Sequence, residues 1–161
     1  MGKRGFKSLI LISSLCFGVA AAQSVACTPD VLSIRGDFGL AQFDVTIADD
    51  ATERSRGLMF VEEMPQAAGM LFVYERPQSV SFWMRNTLIP LDMVFIGADG
   101  VIDNIHKQAQ PFDETAIFGG DDIQFVLEIN GGLSDLLGLS IGDEIQHPSI
   151  GSDAIWACPS D

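Results

Sequence analysis

The apolar residues of this chain come in short, interrupted runs, and that pattern constrains its fold more than any other feature of the sequence. From Ala41 to Ala48, Phe43, Val45 and Ile47 alternate with Gln42, Asp44 and Thr46, the two-residue period of a strand with one face buried. Met70–Tyr74, Val80–Met84, Asp92–Ile96, Val101–His106 and Gln124–Ile129 are further short β-prone runs, with glycine, proline or aspartate near most of their ends. Two helices interrupt them. Asp50-Ala51-Thr52-Glu53 has the form of a capping box, in which Asp50 accepts from free N–H groups and Glu53 reaches back, and it starts a helix that runs to about Gly57. Gly132–Leu137 reads as a second helix, ending at Gly138. Many short strands with two short helices predict a mainly β domain, a compact antiparallel sandwich or barrel.

The first residues have a different character. Lys3, Arg4 and Lys7 precede an apolar run, Leu9–Val19, and Ala20-Ala21-Ala22 then offers small residues before Gln23. A basic head, a short apolar middle and an A-x-A exit make a secretory signal peptide, with cleavage expected after Ala22. The apolar run is too short to cross about 30 Å of hydrocarbon, which takes about 20 apolar residues. A competing exit, Ser24-Val25-Ala26-Cys27, resembles a lipoprotein cleavage box, with Ser24 where such boxes usually carry leucine. Cleavage after Ala22 divides the chain into residues 1–22, a signal peptide, and residues 23–161, one β-rich domain destined for the periplasm or the medium.

The mature chain keeps 6 of the 9 lysines and arginines and all 22 acids, a balance of −16. Nucleic-acid binding draws on phosphate neutralisation by Lys and Arg, so this charge argues against a nucleic-acid partner and against anionic lipid headgroups. Cys16 is lost with the signal peptide. Cys27 and Cys158 remain near the two ends, and an even pair in an oxidising compartment reads as a disulfide; two free thiols are the alternative.

One hairpin can be registered by counting. A three-residue loop, Ala98-Asp99-Gly100, with glycine in the left-handed position pairs Gly97 with Val101 and sets Asp92 opposite His106. The two-residue loop Asp99-Gly100 sets Asp92 opposite Lys107 instead. In the first register the Asp92 carboxylate reaches the His106 imidazole, on one sheet face with Val94, Ile96, Ile102 and Asn104.

Three ordered segments carry a family resemblance: Thr52-Glu53-Arg54-Ser55-Arg56-Gly57-Leu58-Met59, then Gly69-Met70-Leu71-Phe72, then Ser81-Phe82-Trp83-Met84-Arg85-Asn86-Thr87-Leu88-Ile89-Pro90-Leu91-Asp92. Ile105-His106, Ala109-Gln110-Pro111 and Leu127-Glu128-Ile129-Asn130-Gly131-Gly132 continue it. The chain resembles the bacterial and archaeal family known as domain of unknown function 192, over about residues 39–145. The resemblance implies a compact, mostly β, jelly-roll-like fold and no particular reaction. Lys107 stands where the family usually carries glutamate after the histidine.

Candidate chemistry falls in two places. Trp83, Arg85, Asn86 and Thr87 put a stacking face beside guanidinium, amide and hydroxyl groups, the set that a small polar ligand requires; their structural reading is a core tryptophan followed by a turn. Asp92 with His106 forms the acid–base candidate, since a carboxylate can hold an imidazole in one tautomer and stabilise its charged form; the structural reading is a cross-strand pair. No G-x-S-x-G motif supplies a nucleophile. No histidine spacing or calcium-loop pattern indicates a metal, and no cofactor is expected. Two functions are therefore expected: a periplasmic binding or accessory module for a small polar ligand or envelope component, walled by Trp83, Arg85, Asn86, Thr87, Asp92 and His106, or a hydrolase that uses Asp92 and His106.

Overall fold

A computed structural model describes residues 27–159; the signal peptide expected over residues 1–22, with Cys16, lies outside the described residues. The chain folds into seven strands: β1 (Val31–Gly36), β2 (Gly39–Ala48), β3 (Ala68–Phe82), β4 (Leu91–Gly97), β5 (Ile102–Ala109), β6 (Ile117–Asn130) and β7 (Glu144–Gln146). Helix α1 (Ala51–Arg56) follows β2, and α2 (Leu133–Leu137) follows β6. The strands form one sheet in the order β5-β4-β6-β3-β2-β1-β7.

The sheet curls back on itself. Beyond β7, Val101 bridges Glu144, the Ile145 N–H donates to the Gly100 carbonyl at 2.8 Å, and the Ile102 N–H donates to the Asp143 carbonyl at 2.9 Å. The two edges thus satisfy each other's backbone groups where an open sheet would leave them unpaired. The mainly β, barrel-like expectation holds. One pair departs from the antiparallel pattern: Asp44–Ala48 of β2 runs parallel to Ala68–Phe72 of β3, with α1 and the loop after it making the crossover.

Alternation along the strands divides the apolar residues between the two faces. Leu32, Ile34, Phe43, Leu71, Val94, Ile96, Leu127 and Ile145 fill one side of the curled sheet. Phe72, Val80, Met84, Met93, Phe95 and Val126 occupy the other, where Val61, Met64 and Ile89 from the long connections pack over them. Each fully buried side chain of this size contributes about 1.5–3 kcal/mol. This second face carries the candidate site.

The helix signals act as the sequence indicates, with one adjustment. Asp50 Oδ1 accepts from the N–H groups of Thr52 and Glu53 at 2.7 and 2.8 Å, while Glu53 Oε2 accepts from the Asp49 N–H, one residue before the cap. Gly57 ends α1 with φ of 48°, and Gly138 ends α2 with φ of 83°. Met70–Tyr74 and the first three residues of Val80–Met84 prove to be parts of one strand, which ends at Phe82. β3 continues through Pro77 because the ladder to β6 breaks between Val73 and Gln78, so the proline removes no ladder hydrogen bond.

The two ends are joined by a Cys27–Cys158 disulfide, with Cα atoms 5.7 Å apart. Around it Gln146 Nε2 donates to the Ala157 carbonyl, His147 Nε2 lies 2.9 Å from the Pro29 carbonyl, and the Arg35 guanidinium, ion-paired with Glu144, lies 4.6 Å from the Trp156 ring centroid. Among the described residues no helix is long and apolar enough to cross a membrane.

Candidate functional site

Two acids stand inside apolar runs, Asp92 within Leu91–Ile96 and Glu128 within Phe125–Ile129. A charge placed in such a run is either supplied with partners or left to change its protonation state. The fold treats the two in opposite ways.

Asp92 is completely buried and receives four hydrogen bonds. Oδ1 accepts from the N–H groups of Gln108 and Gly132 at 2.7 and 2.8 Å; Oδ2 accepts from the N–H and hydroxyl of Ser134 at 2.8 and 2.6 Å. The carboxylate therefore ties β5 to the start of α2. It does not meet His106. The hairpin opens as counted from the three-residue loop, with the Gly97 N–H donating to the Val101 carbonyl and Ile96 opposite Ile102. One extra residue on β5 then shifts the register, so that Phe95 faces Asn104 and Met93, not Asp92, faces His106. This is a β-bulge at Asp103, which moves Asn104 to His106 to the other face; a second irregularity, between Met93 and Leu91, sets Ala109 opposite Leu91. His106 consequently lies on the side opposite to Asp92, in a shallow cavity of about 300 Å³ with Gln108, Asp113, Thr115 and Phe118. The acid–base pair expected from the sequence is not assembled.

Glu128 has the contrary environment. It is 4 % exposed, lies between Met70 of β3 and Met93 of β4, and receives no hydrogen bond from a described residue. Every fully enclosed side-chain polar atom among the described residues has a partner, whereas the Glu128 carboxyl borders a cavity of about 180 Å³. Burial alone pushes this acid up to about 8. It is therefore mostly a neutral, hydrogen-donating carboxylic acid at neutral pH.

The walls of the cavity come from three segments. Arg54, Arg56, Gly57 and Met59 belong to α1 and the turn after it; Phe72, Tyr74 and Phe82 come from β3; Trp83, Arg85 and Thr87 follow β3. Gly57 keeps the cavity open: a Cβ there would lie 3.1 Å from the Phe72 ring and 4.0 Å from Glu128 Oε2. Arg54 is held by the carbonyls of Val73 and Asp49, with its guanidinium 5.1 Å from the Tyr74 ring centroid. Burial raises the Tyr74 phenol, and Arg54 partly opposes the shift.

The tryptophan segment lies at the rim and is held firmly. The Met84 N–H donates to the Asp113 carbonyl, the Met84 carbonyl accepts from the Phe112 N–H, and the Asn86 carbonyl accepts from the Phe60 N–H. Phe60, Asn86 and Phe112 all have φ between 53° and 65°, a left-handed conformation that is costly for bulky residues and that the clamp maintains. Trp83 stays 47 % exposed, so it is not a core residue, and the Arg85 guanidinium sits 5.5 Å from its ring centroid. Thr87 is buried, donating to the Arg85 carbonyl. Asn86 directs its amide to Met59 Sδ, 3.9 Å away, and positions the loop without lining the cavity.

Of the residues singled out in the sequence, the structure thus brings Trp83, Arg85 and Thr87 to one cavity, sets Asn86 behind it, and separates Asp92 and His106 from it. Glu128, Arg54, Arg56 and Tyr74 complete the lining. The signal for Glu128 was its isolation among Phe125, Val126, Leu127 and Ile129.

Fold and cavity together define a small β domain with a polar-floored, arginine-rimmed pocket on the outer face of a curled sheet. The chain belongs to the family DUF192, described as Uncharacterized ACR, whose profile matches residues 32–147. Two solved structures resemble it closely. One is a protein of unknown function from Novosphingobium aromaticivorans DSM 12444, 37 % identical, with a TM-score of 0.70, covering 80 % of this chain and 96 % of that one. The other, from Sinorhizobium meliloti 1021, has a description that proposes a transcription regulator; it is 35 % identical, with a TM-score of 0.73, covering 78 % of this chain and 98 % of that one. No curated protein sequence matches the chain.

Proposed function

We propose that residues 23–161 form an exported binding module, periplasmic or secreted, which holds a small ligand in the cavity walled by Trp83, Arg85, Thr87, Arg54, Arg56 and Glu128. One observation carries this reading: a buried carboxyl without a hydrogen-bond partner among the described residues faces a cavity rimmed by three arginines. A protein that only had to fold would gain by replacing such an acid with a methionine or leucine, because the carboxyl is largely desolvated and no described residue offsets that cost. A ligand that accepts its proton and contacts the arginines would make the arrangement productive. The volume, about 180 Å³, is below the roughly 300–1,000 Å³ of sites for drug-sized molecules, and suits a small ligand or one end of a larger one.

The Cys27–Cys158 disulfide supports life in an oxidising compartment, as does the N-terminal segment with its A-x-A exit. The disulfide also uses the thiol that lipid attachment at Cys27 would need. The balance of −16 beyond Ala22 opposes a nucleic-acid partner, so the regulatory role proposed for the Sinorhizobium relative is not extended to this chain.

A thermal-shift screen against metabolites, sugars, metals and peptidoglycan fragments tests the reading. A ligand at about 100 times its Kd should stabilise the fold by roughly 2.7 kcal/mol. The stabilisation should shrink in Trp83→Ala and Arg85→Gln. Hits that are unaffected by both substitutions would move the site elsewhere.

A further inference from the structure

We propose that the ligand enters this cavity through an oxyanion, a carboxylate or a phosphate, with the Glu128 carboxylic acid donating a hydrogen bond to one oxygen while Arg56 and Arg85 balance the charge. The inference rests on the binding reading above and names the class of ligand.

The distribution of charge leads to it. Beyond Ala22 the chain has 22 acids and only six basic residues, Arg35, Arg54, Arg56, Arg76, Arg85 and Lys107. Three of those six line this one cavity, and the single acid among its lining residues is Glu128. In a molecule with so strong an excess of acids, this places a locally cationic opening where a cation would be repelled and an anion drawn in. Arginine presents parallel N–H groups that match the two oxygens of a carboxylate or phosphate.

Glu128 sets what happens at the bottom. An ionised carboxylate there would repel an incoming oxyanion, while a protonated one supplies the donor that the oxyanion needs. The charged and titratable groups at the cavity are Arg54 and Arg56 from α1, Tyr74 from β3 and Arg85 from the loop after β3. The cross-strand neighbours of Glu128, Met70 and Met93, carry no charge. The cavity has no second acid to share the proton, so the oxyanion itself is the acceptor. Geometry and the elevation of this acid to about 8 agree. Below that value binding proceeds without proton exchange. Above it, each anion bound takes up one proton from solvent onto Glu128.

Three probes with nearly the same shape separate the possibilities: benzoate, benzamide and benzamidine, which carry negative, zero and positive charge, with phenyl phosphate added to distinguish phosphate from carboxylate. Binding is followed by NMR chemical-shift titration of the ¹⁵N-labelled protein at about pH 6.5 and about pH 9.5. Benzoate or phenyl phosphate should bind at the lower pH and benzamidine should not. Benzoate keeps its charge throughout, and its affinity should fall about tenfold per pH unit above the Glu128 value. Glu128→Gln, which still donates but cannot ionise, should remove that pH dependence; Arg85→Gln should weaken benzoate at least about tenfold. Preference for benzamidine, failure of both oxyanions, or a wild-type benzoate affinity that does not change with pH would overturn the proposal. If neutral or cationic compounds from the thermal screen shift the same residues while both oxyanions fail, the ligand class is wrong and the binding site stands. If no compound shifts them, the binding reading falls as well.

Discussion

Replacing Glu128 by glutamine should stabilise the protein, and by an amount that grows with pH. In the folded state the acid is raised from its ordinary 4.5 to about 8 by burial. Between those values the folded protein keeps a proton that the unfolded chain has released, so stability falls as pH rises. The sign follows from linkage: a raised folded-state pKa contributes fully below the unfolded value and is lost as pH climbs through the folded one. Each pH unit in the window costs about 1.4 kcal/mol, which gives about 3 kcal/mol at neutral pH and about 5 kcal/mol above pH 8. Glutamine has nearly the same shape and no such term. Urea unfolding of both proteins in phosphate-free buffer, from about pH 5 to about pH 9, measures the difference directly. The two stability curves should diverge steadily above about pH 5. Parallel curves would mean that Glu128 ionises normally in the fold, and would refute the description of its environment.

Asp92→Ala should destabilise by about 3–5 kcal/mol in urea melts, because it leaves the N–H groups of Gln108, Gly132 and Ser134 and the buried Ser134 hydroxyl without their acceptor; His106→Ala, at a partly exposed position on the other face, should cost far less. Reducing the Cys27–Cys158 bridge, or replacing both cysteines by serine, should cost up to about 4–5 kcal/mol given the 131-residue separation, and non-reducing peptide mapping of exported protein should recover the linked pair. Intact-mass analysis of that exported protein should give a chain starting at Gln23; a lipid-modified Cys27 would contradict both this start and the bridge.

The sequence displayed the sheet better than it displayed the site. Alternation at Phe43, Val45 and Ile47 marked β2, and Asp50 and Gly57 marked both ends of α1, because these signals are local. β1 and β7 lack such local marks and are defined by pairing with distant partners, Arg35 with Glu144 among them. The Asp92–His106 juxtaposition failed for a single residue: the turn was read correctly, but a bulge at Asp103 cannot be counted from the loop. Trp83, Arg85 and Thr87 were recognisable by their residue types. Glu128 stood out as an acid among apolar neighbours; Arg54 and Arg56 join it from the crossover between β2 and β3 and Tyr74 from β3 itself, long-range contacts that local periodicity does not encode.

Chemical-shift mapping of the strongest compound from the thermal screen onto the backbone and the indole resonances locates the site most directly. The perturbed residues should be Arg54–Met59, Trp83–Thr87 and Glu128, with Trp83 shifting and Trp156 unmoved. Perturbations centred on His106, Gln108 and Thr115–Phe118 would put the ligand in the other cavity and contradict the assignment of function to the Glu128 pocket.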